Sequence, residues 1–183
     1  MTQPPGGQAA AALVALMAEI RALWEERGYA PEGALRLPLW SAAAPTGELT
    51  VLNESGRFPA RAVVTIAWSA EIAAALATAE RAPAPGGSLA VSFCWQRPPE
   101  REWRDSELAD MAGNLAEAMA DVEGLQSFTI TIPTVFDATA WHVGLIDLRD
   151  TWHIPLADLA DPTTRATVVA RIAAHALGGI EWL

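Results

Sequence analysis

Several residue types and segments are scarce or missing in this chain of 183 residues. Cys94 is the single cysteine, which excludes an internal disulfide and a metal site made of several cysteines. Lysine is absent, so the lysine of a nucleotide-binding P-loop is missing. Apolar runs are shorter than the ~20 residues that a membrane-spanning helix needs, and the N-terminus lacks the basic start of a secretory signal. These features predict a cytoplasmic protein that has no membrane partner.

Acidic residues outnumber basic ones, and their distribution is uneven. The chain has a net charge of −10. Residues 105–161 contain eleven acidic side chains and one arginine, Arg149, so the charge of this segment alone is −10. Such a segment repels phosphates, so we expect no nucleic acid partner. It favours a cationic protein partner, although an acidic surface also serves solubility alone.

Helices are predicted where apolar side chains recur every three or four residues. The first helix ends at Gly28, because glycine readily adopts the backbone that follows a helix. The last begins at Asp161, which precedes a proline suited to a first helical turn, and stops at Gly178. His175 is placed in its final turn, where the helix dipole is a sufficient reason for a histidine. The predicted helices cover residues 8–27, 70–81, 105–124 and 162–177.

Strands are predicted where bulky residues alternate with small or polar ones. Cys94 lies among the small residues of one such strand. The opposite, bulky face of that strand comprises Leu89, Val91, Phe93 and Trp95. A terminal strand would leave an edge that could pair with a second copy of the chain as a homodimer. The predicted strands cover residues 35–40, 49–53, 60–68, 89–96, 128–132, 141–148 and 180–183.

The order of these elements predicts an α+β protein in which helices cover one face of an antiparallel sheet. Residues 88–183 are predicted to have the ferredoxin-like order βαββαβ. The N-terminal part has the order αβββαβ, shares its last strand, 88–97, with that half, and could be a diverged second copy of it. We therefore expect a single domain over residues 8–183 that follows a disordered tail, 1–7.

The segment from Trp141 to His153 contains two histidines and two aspartates. His142 and Asp147 are an odd number of positions apart, so a regular strand directs them to opposite faces, and we expect no metal site. Cys94 lies within a strand and not at a helix N-terminus, where a thiolate would be stabilised, so a cysteine hydrolase is not expected. We assign no catalytic residue and expect no cofactor.

Our preferred hypothesis is a non-catalytic cytoplasmic accessory protein of the immunity, chaperone or adaptor type. The acidic segment would steer a cationic protein partner, and tryptophans at strand ends or in loops would anchor it. His153 is placed in the loop after a strand. The predicted partner-binding residues are Trp103, Glu107, Asp110, Glu117, Asp121, Trp152 and His153.

The alternative hypothesis is a small-molecule-binding protein or a cofactor-free enzyme. The predicted order, with a helix that runs into Val122-Glu123-Gly124-Leu125 before a strand, resembles the αβ-barrel class of small monooxygenase-like proteins. The resemblance covers less than half of the chain and implies a fold without any functional residue. Because ligand pockets are mostly apolar, the pocket would lie between sheet and helices. Its predicted lining is Phe93, Trp95, Phe128 and His142.

Overall fold

The computed structural model of the chain describes residues 5–36, 46–53, 60–67, 87–97, 110, 113–114, 116–117, 128–136, 141–143 and 146–182. They form an α+β fold. Its named helices are α1 (Pro5–Glu26), α2 (Leu156–Ala160) and α3 (Pro162–Trp182). Its strands are β1 (Pro31–Arg36), β2 (Thr46–Asn53), β3 (Ala60–Ala67), β4 (Ser88–Arg97), β5 (Phe128–Thr131), β6 (Thr134–Phe136), β7 (Trp141–Val143) and β8 (Ile146–Pro155).

Six of these strands form one sheet in the order β1-β2-β3-β4-β8-β5, and every neighbouring pair is antiparallel. β6 and β7 form a two-stranded sheet. Thr131 pairs with Asp147, and three residues later Thr134 pairs with Val143, which is four residues before Asp147. Pro133, which has no N–H to donate to a ladder, lies between the β5–β8 pairing and the β6–β7 pairing.

The core lies between α1, α3 and one face of the large sheet, which we call the inner face. Bulky residues alternate along the strands as the sequence predicts, and their cross-strand register places them on this face. The inner-facing residues of β3, β4 and β8 are Ala62, Val64, Ile66, Leu89, Val91, Phe93, Trp95, Ile146, Leu148, Asp150, Trp152 and Ile154. The helices contribute Leu13, Leu16, Met17, Ile20, Trp24, Val168, Val169, Ile172, Ala173, His175, Ala176, Leu177 and Ile180.

Two indoles attach α3 to its neighbours. Trp24 Nε1 donates to the Ala173 carbonyl over 3.1 Å, and Trp95 Nε1 donates to the Ala176 carbonyl over 2.9 Å. Both tryptophans are fully buried, so these bonds satisfy donors that would otherwise be costly in the core. They hold one helix against both α1 and β4.

The predicted ends of two helices are confirmed. Gly28 follows α1 with a φ of 84°, a conformation that glycine adopts at no steric cost. Asp161 caps α3, because its Oδ2 accepts hydrogen bonds from the N–H and the hydroxyl of Thr164 over 2.8 and 2.7 Å. These hydrogen bonds lower the pKa of the Asp161 carboxyl.

The predicted helix stop at Gly178 and the terminal strand after it are wrong, because α3 continues through Trp182. A Cβ on Gly179 would lie 2.1 Å from Trp95 Nε1, so this glycine allows a helix and an indole to approach closely. The βαββαβ order of residues 88–183 needs the missing strand, so neither the ferredoxin-like order nor a diverged second copy is confirmed. Residues 180–182 are helical, so they offer no strand edge through which a second copy could pair as a homodimer.

Other predicted boundaries also move. The strand predicted over 141–148 consists of β7 and β8, and β8 extends to Pro155. The first strand, β1, begins and ends four residues before the predicted strand 35–40. α1 begins at Pro5, so residues 5–7 of the predicted tail are helical. The helix predicted over 70–81 lies outside the described residues. None of the helices in the described part of the chain is both long and apolar enough to span a membrane.

Candidate functional site

A carboxylate and an imidazole meet inside the core. His175 Nε2 on α3 lies 3.0 Å from Asp150 Oδ2 on β8, and the two side chains are 1% and 0% exposed. The same oxygen accepts a hydrogen bond of 2.8 Å from Trp152 Nε1. Asp150 Oδ1 accepts another of 2.8 Å from the backbone N–H of Thr151. Hydrogen-bond donors therefore surround this carboxylate on both oxygens.

Three aromatic rings surround His175. The imidazole stacks on Trp152 with ring centroids 4.4 Å apart and planes inclined by 29°. Phe93 and Trp95 meet it edge to face, with centroid distances of 4.6 and 5.1 Å. The guanidinium of Arg171 lies 5.4 Å from the centre of the Trp152 ring. We call the following residues the His175 cluster: Phe93, Trp95, Asp150, Trp152 and His175. Because its carboxylate and imidazole are sealed from solvent, they cannot contact a substrate in this conformation.

The opposite face of the large sheet, the outer face, is polar. Arg61 donates to Gln96 across β3 and β4, and the Gln96 amide donates to Asp147 Oδ1 over 2.7 Å. Arg149 Nη2 lies 3.2 Å from Asp147 Oδ2, and the Arg149 side chain is 61% exposed. The row Arg61–Gln96–Asp147–Arg149 therefore combines charge with access to solvent, which the His175 cluster lacks.

Cys94 lies on the outer face directly opposite Arg149 in the β4–β8 register. Burial raises the pKa of the Cys94 thiol above its ordinary value, the charge of Asp147 raises it further, and Arg149 lowers it. The net effect disfavours the thiolate, which is the nucleophilic form. This position therefore suits an inert thiol better than a catalytic one.

Three of the described acids of residues 105–161 have a partner within the fold. Asp150 belongs to the His175 cluster, Asp147 pairs with Arg149, and Asp161 caps α3. Asp110 and Glu117 are exposed, and both have helical backbone, as the helix predicted over 105–124 requires. Seven residues make about two turns, so the helix predicted over 105–124 would place these two carboxylates on the same side.

The predicted partner-binding residues have different locations. Asp110, Glu117 and His153 are exposed. His153 does not lie in a loop but on the outer face of β8, opposite Ala90. Trp152 does not lie at a strand end: it is only 4% exposed, because β8 continues past it and directs it into the core. Those outside the described residues are Trp103, Glu107 and Asp121.

Two of the predicted pocket residues lie in the packed core. Phe93 and Trp95 are 1% and 0% exposed, and α3 occupies the space next to them with His175 and the backbone of Gly179. Phe128 is paired with Asp150 in the β5–β8 register, whereas His142 is paired with Val135 in the separate β6–β7 sheet. Phe128 and His142 therefore belong to different sheets.

The Asp150–His175 contact was not predicted from the sequence. His175 is buried and bonded to β8, and it lies seven residues before the end of α3 and not in its last turn. A signal for Asp150 does exist, because the alternation of Ile146 and Leu148 continues through Trp152 and Ile154. Asp150 therefore occupies an inward position of an otherwise apolar series, where a carboxylate needs partners.

Within the described ranges, no group of three or more histidine, cysteine, aspartate or glutamate side chains could hold a metal ion. Comparison with known proteins finds no matching family model, no similar curated protein and no similar solved structure. The function is therefore inferred from this chain's own residues.

Proposed function

We propose that this protein is a non-catalytic cytoplasmic accessory protein that binds a cationic protein partner. The observation that carries the proposal is the exposure of Asp110 and Glu117, both of which have helical backbone. The helix predicted over 105–124 would place them on one side. Asn114, between them, is exposed as well. Carboxylates on a solvent-facing surface attract a positively charged partner over about a Debye length, ~10 Å at 0.1 M salt.

The distribution of the other acids supports this assignment. Asp147, Asp150 and Asp161 are engaged by Arg149, by the His175 cluster and by the α3 N-terminus. Their charges serve the fold, so they do not account for a recognition surface. Exposed charges on the helical segment have no such structural duty in the contacts described, and they remain available for a partner.

The packed state of the core favours a binding role over a pocket role. Phe93 and Trp95 are two of the four residues predicted to line a ligand pocket, and both are buried against α3. Entry of a ligand there would require α3 to move away from Trp95, breaking the bond to the Ala176 carbonyl. We therefore do not propose the small-molecule alternative.

The test compares two double variants that change the net charge equally. In the first, Asp110→Asn and Glu117→Gln neutralise the proposed partner surface. In the control, Glu26→Gln on α1 and Glu48→Gln on β2 neutralise two exposed acids elsewhere. Each protein is purified from its own host at about 0.05 M salt and weighed by native mass spectrometry, with circular dichroism to confirm folding.

The proposal predicts a complex with a basic protein that the parent and the control variant retain and the first variant loses. Raising the salt to about 0.5 M should weaken that complex at least tenfold, because exposed charges are screened. A complex that persists both at about 0.5 M salt and in the Asp110→Asn/Glu117→Gln variant would contradict the proposed surface. A lone chain that carries a few hundred daltons of bound compound would favour the pocket alternative.

A further inference from the structure

The His175 cluster takes no part in the proposed partner surface, and its geometry suggests a separate property. We propose that Asp150 and His175 form a buried ion pair in which His175 keeps its second ring proton well above neutral pH. The pair joins β8, which lies between β4 and β5 in the sheet, to α3 through one contact of 3.0 Å. The chain would then contain a pH-sensitive contact between its large sheet and α3.

The contacts of Asp150 favour its ionised form. The Thr151 N–H and the Trp152 indole N–H can only donate, and each binds a different oxygen of the carboxyl group. If the carboxyl were protonated, one of its oxygens would carry a hydrogen next to the N–H group of Thr151 or Trp152. Both oxygens are therefore placed as hydrogen-bond acceptors, and Asp150 is the carboxylate of the proposed pair.

The surroundings of His175 favour the imidazolium. With Asp150 as a carboxylate, which only accepts, His175 Nε2 carries the proton of their 3.0 Å contact. A second proton makes the ring a cation at hydrogen-bond distance from a buried anion, which favours the charged form. The Trp152 ring stacks on the imidazole at a centroid distance of 4.4 Å, within the range over which aromatic faces attract cations.

Burial opposes both charges, so the balance depends on the other charged groups nearby. The guanidinium of Arg171, an exposed residue of α3, contacts the Trp152 ring that stacks on His175. Its positive charge disfavours the imidazolium form of His175. In the described ranges, the fully buried residues of α1, β3 and β4 are apolar, and β8 contributes Asp150 as its one inward charge. β4 also carries Arg97 at an inward position, but Arg97 pairs with Ile146, four residues along β8 from Asp150. The direct contact with Asp150 outweighs Arg171, because interactions in the interior are screened far less than those at the surface.

The sign of the resulting pH dependence follows from proton linkage. A histidine in the unfolded chain titrates near ~6.5, and the folded chain would hold the same proton to a higher pH. The stabilisation is therefore complete below about pH 6.5 and is lost as the pH rises through the folded midpoint. In that window the unfolding equilibrium constant should increase by up to about tenfold per pH unit.

The test is a titration of the imidazole 15N signals by NMR, which needs no variant of the cluster. His153 is exposed on the outer face and provides the internal reference. His175 should keep both ring N–H groups at a pH at least one unit above the midpoint of His153. A His175 midpoint at or below that of His153 would overturn the proposal.

Two aspartate variants of the same strand separate the ion pair from general effects of charge. Asp150→Asn keeps the shape of the side chain and should lower the His175 midpoint by at least one pH unit while leaving that of His153 unchanged. Asp147→Asn removes the same charge from the outer face and should leave the His175 midpoint within about 0.3 unit, since water screens that charge. Equal shifts in both variants would contradict a specific pair. If Asp150→Asn does not fold, the titration of the unaltered chain still decides.

Discussion

On β8, residues one position apart lie in opposite surroundings. The Asp150 side chain is 0% exposed and bonded to Trp152 and His175, whereas the Arg149 side chain is 61% exposed and bonded to Asp147. The inner face combines aromatic rings, glycine and a buried polar pair in fixed contacts. The outer face carries a row of charged and amide side chains whose hydrogen bonds water can replace. The same strands therefore provide a rigid interior on one side and an adaptable surface on the other.

This difference determines where a substitution should be costly. Removing a buried hydrogen-bonded charge leaves its partners without an acceptor, whereas an exposed partner can bond to water instead. Volume changes follow the same rule, because a packed indole cannot move aside but a solvent-facing side chain can. Matched substitutions on the two sides of one strand or one helix test this contrast directly.

The largest loss of stability is expected for Asp150→Ala. It removes the acceptor of the Trp152 and His175 ring N–H groups and of the Thr151 backbone N–H. Breaking a buried pair in this way costs about 4 kcal/mol of unfolding free energy. Guanidinium unfolding followed by circular dichroism at 222 nm measures the change.

The matched control is Asp147→Ala, three residues earlier on β8. Its partners Gln96 and Arg149 lie on the outer face, and the expected loss is about 1 kcal/mol or less. Similar losses in the two variants would mean that the faces do not differ in the way the contacts indicate.

Two adjacent glycines of α3 provide the next comparison. A Cβ at Gly179 would lie 2.1 and 2.2 Å from two atoms of the buried Trp95 indole, whereas a Cβ at Gly178 meets nothing within 4 Å. We expect Gly179→Ala to lower the unfolding free energy by about 3 kcal/mol through overpacking. We expect Gly178→Ala to raise it by up to about 1 kcal/mol, since alanine is the better helix former.

Thermal and guanidinium unfolding of the two variants measures both signs. The near-ultraviolet circular dichroism of Gly179→Ala should also change, because Trp95 must leave its position to make room. A stabilised Gly179→Ala variant would show that α3 does not pack on Trp95 as described.

The sequence predicted those parts of the fold in which local and tertiary signals agree. The spacing of Leu13, Met17 and Ile20 indicates a helix, and burial of that face against the sheet is its consequence. Asp161 caps α3 because a cap is made by residues three apart in the chain. The alternation along β4 likewise predicts which of its residues are buried.

The errors arose where a local signal has two meanings. Glycine marks a helix end, yet at Gly179 it marks a close approach to Trp95, which is 84 positions away in the chain. The chain alone does not reveal that register. Likewise, the sequence offers the helix dipole as a reason for His175, whereas its partner is Asp150. The packing of α3 on β8 brings these two residues together, and no local pattern reveals that packing.

The smallest expected effect concerns the reactivity of Cys94 on the outer face. Burial and the charge of Asp147 raise the pKa of this thiol, whereas Arg149 lowers it. The alkylation rate with iodoacetamide depends on the thiolate, so its pH profile should lie above that of the same chain unfolded in guanidinium. Stopped reactions between pH 7 and 10.5, quantified by mass spectrometry, give the profile.

Two substitutions beside Cys94 should move this profile in opposite directions. Asp147→Asn removes a charge that raises the pKa of the thiol, so the profile should shift to lower pH and alkylation at pH 8.5 should become a few-fold faster. Arg149→Gln removes a charge that lowers the pKa, so the rate should fall. If the two substitutions only changed the access of iodoacetamide to Cys94, both alkylation rates would change in the same direction. Such a result would exclude the electrostatic explanation. Opposite shifts would show that the outer face, unlike the inner, tunes its groups through exposed and replaceable charges.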